Sequence, residues 1–530
     1  MEKFFCLIAA FLLFTGCSGK NKPIKSPANE KVTMQEQYRP QIHFTPLSGW
    51  MNDPNGMVYH DGEYHLFYQH NPFGKQWGNM SWGHAISTDL MHWKHQPVAL
   101  SPDSLGYIFS GSAVVDRNNT SGLGVDGQSP LVAFFTYHNM DIEKNGGANM
   151  QTQGLAFSND KGRTWIKYDG NPVIENPGIR DFRDPKVFRH EKSGQWIMLL
   201  AAGQVIQFWV SPNCLDWTYL SEFGKDAGNH DGVWECPDLF PLRVRNTGEN
   251  KWVLIVNVNP GGPAGGSAAQ YFVGGFDGKK FTSDQKMPQW VDYGKDNYAG
   301  VTWSNTPDNR RIFLGWMNNW QYAGKEPTLT WSGAATFPRE LGLVKDSSTY
   351  LLTSTPVNEI NAIRGKTFHT KQLTIEETLS ISDSLPFRVS PLEIKLIFDN
   401  SNTNREESNS EKYGICLKNR KGEYISVGYN RMEKFFYIDR TNATGATFSD
   451  KFAGIHNMPC EPKEPTVDWH LIIDECSLEF FAAGYRVVMT DVFYPSEPFD
   501  TIELFARNGA VKLVDACLTE LISVWNQPQE

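Results

Sequence analysis

The chain has no Cys-x-x-Cys pair and no Cys/His spacing suited to a metal ion, which argues against zinc ribbons and dithiol redox motifs. Its eight cysteines stand at 6, 17, 214, 236, 416, 460, 476 and 517. The last six are too scattered to suggest a disulfide framework, so mostly free thiols are expected. A basic excess is also missing. The net charge of -10 disfavours a phosphate-backbone partner, and no nucleic-acid binding is expected. Beyond residue 14 no run is apolar enough to cross a membrane. Between residues 40 and 345 no stretch of ten or more residues has a convincing helical period.

What is present begins with a leader. Lys3 precedes an apolar run from Phe4 to Phe14, too short for a mature membrane span. It ends in Phe14-Thr15-Gly16-Cys17, which resembles a bacterial lipobox, with Phe14 where Leu is usual. Residues 1–17 are therefore expected to be a lipoprotein signal peptide with Cys17 lipidated. Residues 18–36 are polar and aperiodic, as a flexible tether would be. The membrane is expected as a partner only through that lipid, at the bacterial cell envelope. The chain is also rich in aromatics, with 17 Trp, 19 Tyr and 33 Phe. Such side chains fill strand interfaces and stack on sugar faces, and both uses stay open.

The 530 residues imply more than one domain. From 37 to 345, short apolar runs such as Tyr64–Tyr68, Leu131–Phe135, Trp196–Leu200 and Trp252–Val256 alternate with Gly, Asn, Asp and Pro, the pattern of short strands. A weak repeat runs through them. Ser87-Thr88-Asp89 leads to Trp93, Ser158-Asn159-Asp160 to Trp165, and Ser211-Pro212-Asn213 to Trp217; Phe276-Asp277-Gly278 leads to Phe281. Repeating four-strand units of this kind suggest a β-propeller of about five blades. A connection is expected at 346–365. From 366 to 530 the repeat stops and strands alternate, as in Leu392-Glu393-Ile394-Lys395-Leu396, which reads as a β-sandwich. The fold class expected is all-β.

Three acidic motifs lie near predicted blade starts: Asn52-Asp53-Pro54-Asn55-Gly56 after Trp50, Arg183-Asp184-Pro185, and Trp234-Glu235-Cys236-Pro237-Asp238. Alone, each reads as a turn or a local ion pair. Strands that open blades line a propeller's central channel, so the three carboxylates can converge there. Glycoside cleavage needs such a set: one carboxylate to attack the anomeric carbon and one acid of raised pKa to protonate the leaving oxygen. Trp234 is expected to give Glu235 its apolar surroundings. Arg183 is expected to keep Asp184 ionised if their side chains meet.

In this order the motifs resemble glycoside hydrolase family 32, the invertase, inulinase and levanase family. Further matching stretches are Gln69-His70-Asn71-Pro72, Phe109-Ser110-Gly111-Ser112, Asp292 to Ala299, Gly315 to Trp320 and Ser477-Leu478-Glu479-Phe480-Phe481. The resemblance covers nearly all of residues 40–530. It implies a five-bladed propeller followed by a β-sandwich. It implies Asp53 as nucleophile, Glu235 as general acid/base, and Asp184 as a transition-state stabiliser on the fructose hydroxyls. It implies a fructose pocket shaped by Asn52, Gln69, Trp77, Phe109, Ser110, Arg183 and Trp320. The family retains configuration, so Asp53 and Glu235 should stand roughly 5 to 5.5 Å apart. No metal or other cofactor is expected. The expected partner is a β-fructoside substrate, with exo-acting release of terminal fructose preferred. An endo-acting levanase, a related five-bladed hydrolase of arabinan or xylan, and a non-catalytic glycan-binding lipoprotein remain as alternatives.

Overall fold

The structure, a computed structural model, describes residues 34–285, 287–401 and 410–525. The signal segment, Cys17, nearly all of the tether and most of the polar 401–412 segment lie outside the described residues.

Five antiparallel sheets follow one another along the first part of the chain. Blade 1 runs Gly49–His60, Glu63–Asn71, Ser81–Ser87 and Lys94–Leu100; blade 2 runs Tyr107–Val115, Leu131–His138, Gln151–Ser158 and Ile166–Lys167. Blade 3 runs Phe182–His190, Gln195–Ala202, Val205–Ser211 and Thr218–Phe223. Blade 4 is built on Val233–Arg243, Asn250–Asn259, Ala268–Phe276 and Phe281–Thr282; blade 5 on Tyr298–Thr302, Ile312–Trp316, Arg339–Asp346 and Thr349–Pro356. The first strands of successive blades pack on one another around a closed ring. Two parallel contacts between blades 1 and 5 close it, Gly49–Trp50 on Trp331–Ser332 and Val58 on Ser304. The architecture is a five-bladed β-propeller followed by a β-sandwich.

The repeat noted in the sequence is the turn between the third and fourth strands of a blade. In blades 1, 2 and 3 the Ser hydroxyl bonds the Asp or Asn two residues on (Ser87–Asp89, Ser158–Asp160, Ser211–Asn213). The residue after that, Leu90, Lys161 or Cys214, has φ near +60°. The indole N–H of Trp93, Trp165 or Trp217 then folds back onto a turn carbonyl at 2.9–3.1 Å. Blade 4 keeps only the polar half, with Asp277 capping the N–H groups of Lys279 and Lys280.

Thr349–Pro356 falls inside the expected connection but is the outer strand of blade 5, paired with Arg339–Asp346 over eight residues. Its hydroxyl-rich sequence hides it, yet Thr353 and Ser354 are buried. Only the short 3-10 turn Asn358–Ile363 separates it from the next strand, Arg364–Ile375. From there two six-stranded antiparallel sheets enclose one apolar core that includes Leu392, Ile394, Leu396, Tyr413, Trp469 and Phe480. The outer face of Ser477–Ala482 and Val487–Val492 packs on the propeller: Phe481 and Val488 join a core with Trp316 and Phe337. All six cysteines in the described residues are free. No helix among the described residues is long and apolar enough to cross a membrane.

Candidate active site

Each blade's first strand breaks its regular pairing at one end of the channel. The register slips between Met51 and Pro54, Ile108 and Gly111, Arg183 and Lys186, Glu235 and Asp238, and Tyr298 and Val301. An extra residue in a strand bends it and re-aims its side chains. Here the bulges carry Asp53, Ser110, Asp184 and Cys236. Proline has no N–H for the ladder and is tolerated at such places, which explains Pro185 and Pro237 inside their bulges and Pro54 at the edge of its own. Asp184, Cys236 and Ala299 have φ of +64°, +42° and +53°, a strained conformation for residues with a side chain and one that clusters at functional sites.

The result is a cavity of about 280 Å³ lined by all ten residues expected from the sequence: Asn52, Asp53, Gln69, Trp77, Phe109, Ser110, Arg183, Asp184, Glu235 and Trp320. Asp53 comes from blade 1. Its Oδ1 accepts from Asn52 Nδ2 at 2.9 Å, and its Oδ2 accepts from the Ser110 hydroxyl of blade 2 at 2.6 Å. Asn52 is fixed in turn by the Trp50 indole at 2.6 Å, and Trp50 stacks on Trp320. Asp184 comes from blade 3, where its Oδ2 accepts from the Cys236 N–H at 2.9 Å. Glu235 comes from blade 4. Its Oε1 accepts from Arg183 Nη2 at 2.8 Å and Nε at 3.3 Å, and its Oε2 accepts from the Tyr298 hydroxyl of blade 5. The Cys236 sulfur sits between acids, 3.6 Å from Asp53 Oδ2 and 3.5 Å from Asp184 Oδ2. Gln69 is buried and its Nε2 has no partner among the described residues. Trp77 stands at the rim, edge-on to Phe109.

Electrostatically the site is under-compensated. Burial raises the Asp53 pKa and the Glu235 charge raises it further, against the bonds from Ser110 and Asn52. Burial pushes Asp184 up to about 7; Arg183 opposes this, while Glu235 and Asp53 add to it. This corrects the expectation that Arg183 keeps Asp184 ionised. The guanidinium is 3.9 Å from Asp184 and is engaged by Glu235 and by Asp181 at 2.7 Å. Trp234 does not give Glu235 the apolar surroundings expected of it. Neighbours on a strand point to opposite faces, and Trp234 lies in the core between blades 3 and 4 with its indole bonded to the Asn229 carbonyl. Glu235 is surrounded instead by Arg183 and Tyr298.

Tyr298 and the Cys236 thiol are partners that the sequence motifs did not single out. Burial, reinforced by neighbouring acids, raises both well above their ordinary values. The signal for Tyr298 was its place at the start of a blade's first strand, equivalent to that of the three acids. Gln151, His138, Glu143, Arg180 and Asp181 also line the cavity. No three His, Cys, Asp or Glu side chains among the described residues are arranged to hold a metal ion.

Comparison with known proteins gives one family. Residues 43–356 match the model of the glycosyl hydrolases family 32 N-terminal domain, and residues 359–525 match that of the family 32 C-terminal domain. The chain is 45% identical to a levanase of Bacillus subtilis (strain 168), over 92% of this chain and 71% of the relative. It is 37% identical to an extracellular exo-inulinase of Aspergillus awamori, over 93% and 96% of the two chains. Among solved structures it resembles that organism's exo-inulinase with a TM-score of 0.84 at 35% identity, covering 93% of this chain and 100% of the other. A β-fructofuranosidase from Schwanniomyces occidentalis complexed with fructosyl-erythritol gives a TM-score of 0.84 at 33% identity, covering 92% and 98%.

Proposed function

The chain belongs to glycosyl hydrolase family 32, and on that premise we propose that it releases terminal β-D-fructofuranosyl units from fructans, and from sucrose, with retention of configuration. The observation that carries this is the meeting of Asp53, Asp184 and Glu235, from three blades, at one sugar-sized pocket with a closed floor. The next cavity past Asp184, walled by Pro54, Pro185, Cys236 and Pro237, holds only about 10 Å³, room for a water at most. A closed floor favours a chain end over a polymer running through.

In this mechanism Asp53, held on both oxygens by Asn52 and Ser110, attacks the anomeric carbon of the bound fructosyl unit. The bond to the leaving oxygen breaks, and Glu235 gives that oxygen its proton. Arg183 engages Oε1 through two nitrogens, so Oε2, on the Tyr298 side, is the oxygen suited to carry the proton. Water then replaces the leaving group, Glu235 takes its proton, and the covalent fructosyl-Asp53 ester is cleaved. Asp184, whose pKa burial pushes up to about 7, holds fructose hydroxyls either as donor or as acceptor.

Product analysis on levan, inulin and sucrose tests this reading. Free fructose as the first product is expected. A ladder of oligomers from levan would replace exo by endo action, and no fructoside product from any of the three would sink the reading. We also propose that a lipid on Cys17 holds the enzyme to the bacterial envelope. Labelled fatty acid should enter the wild-type chain and not Cys17→Ser; equal labelling of both rules the anchor site out.

A further inference from the structure

The cavity wall contains an arginine that the fold holds only loosely. Arg180 lines the cavity with its side chain 55% exposed, and its guanidinium makes no hydrogen bond among the described residues. Its nearest charge is Glu143 Oε1 at 3.8 Å, too far for a hydrogen bond. Glu143 is not loose. Its Oε2 is 3.0 Å from His138 Nε2, and the His138 ring lies flat on Phe109, with centroids 4.3 Å apart. The short helix Met140–Lys144 that carries Glu143 is capped by Asn139. A held carboxylate and a guanidinium joined to it only by a long ion pair thus face each other at the exposed wall of the cavity.

Position gives this pair a meaning. The general acid must touch the leaving oxygen, so the side of the pocket next to Glu235 is where the leaving sugar sits. Glu235 is bonded to Arg183, and Arg183 to Asp181. Arg180 directly precedes Asp181 in the chain, Glu143 is its nearest charge, and both line the same cavity as Glu235. Vicinal hydroxyls of a sugar both donate and accept, so a carboxylate and a guanidinium a few ångströms apart can take one hydroxyl each.

Resting on the fructosidase reading above, we propose that Arg180 and Glu143 form the subsite for the leaving sugar, the glucose of sucrose or the penultimate fructose of a fructan. The pair thereby sets specificity without taking part in the chemistry of the fructosyl unit.

The test compares Arg180→Ala and Glu143→Gln with wild type on two substrates: a fructan trisaccharide, and p-nitrophenyl β-D-fructofuranoside, whose leaving group carries no sugar hydroxyls. For the trisaccharide kcat/KM should fall about tenfold, mostly through KM, as expected for loss of a hydrogen bond to a charged group. For the aryl fructoside it should stay within about twofold. Transfer of fructose to an added sugar acceptor should fall along with trisaccharide hydrolysis, because the acceptor occupies the same subsite. Equal losses on both substrates, or no loss on either, would overturn the proposal. A wild-type enzyme inert on both would instead count against the fructosidase reading itself.

Discussion

Two groups of buried carboxylates sit in this molecule, and they are compensated in opposite ways. At the seam between propeller and sandwich, Arg339 reaches Asp292 and Glu479, each at 2.9 Å. His43 lies between Asp474 at 2.7 Å and Glu479 at 3.0 Å. Arg440 holds Asp296 at 2.6 Å, and His456 holds Asp491 at 2.7 Å. Five acids there meet four basic side chains. In the pocket, Arg183 serves Asp184 and Glu235 as well as Asp181, and no basic side chain among the described residues pairs with Asp53. The directions of titration follow. Despite burial, Glu479 is held below its ordinary value by Arg339 and His43, and Asp491 by His456 and Arg440. Asp296 is raised, by burial and by Asp491. Asp53 and Asp184 are both raised. The seam uses buried charge to fix two domains against each other. The pocket keeps repelling carboxylates ready to exchange protons, at a cost in stability.

Removing one acid from each region should have opposite effects. Asp53→Asn should lower kcat on the order of 10⁴-fold or more, as loss of a nucleophile does, while leaving the fold intact. Steady-state turnover of sucrose or an aryl fructoside checks it, and a near wild-type rate would remove Asp53 from its role. Glu479→Gln should do the reverse. It strands Arg339 and His43 with fewer partners and also disturbs the bond from the Phe337 N–H. Breaking a buried pair in this way costs about 3–5 kcal/mol, which calorimetry would read as a clear drop in melting temperature. The turnover of molecules that remain folded should be retained. If Glu479→Gln melts like wild type, the seam is not the clamp described here.

The same contrast marks what the sequence disclosed. The pocket acids were legible because each sits in a short local motif whose proline fits the bulge that aims it. The turn repeat was legible because Ser, Asp or Asn and Trp close it within a few residues. The seam was not legible. Asp292 and Glu479 stood out only as members of matching stretches, and the residue that joins them, Arg339, lies 47 and 140 positions away. Tyr298 was missed as the partner of Glu235 for the same reason, since the two meet only once blades 4 and 5 pack. Trp234 misled because adjacency in sequence is opposition on a strand. Thr349–Pro356 was hidden by polar residues whose burial depends on the sheet they join.

The smallest effect separates the regions by pH. Asp184 titrates at about 7 in the fold against 3.8 as its ordinary value. The folded state therefore binds the extra proton between those values. Stability from this group falls as pH rises from 3.8 to 7 and stays lost above. His43 is raised to about 9 from 6.5, so its contribution is complete below pH 6.5 and is lost as pH rises through 9. Both groups weaken the fold with rising pH, but for opposite reasons: Asp184 becomes an unwelcome charge, whereas His43 loses a welcome one. Asp184→Asn should therefore gain about 1–2 kcal/mol over wild type at pH 8 and nothing near pH 4. His43→Gln should lose most at pH 6 and least near pH 10. Urea unfolding of both variants across this range reads the two profiles directly. A gain for Asp184→Asn that did not grow with pH would mean that its carboxyl is ionised in the fold throughout, and the pocket would then be as well compensated as the seam.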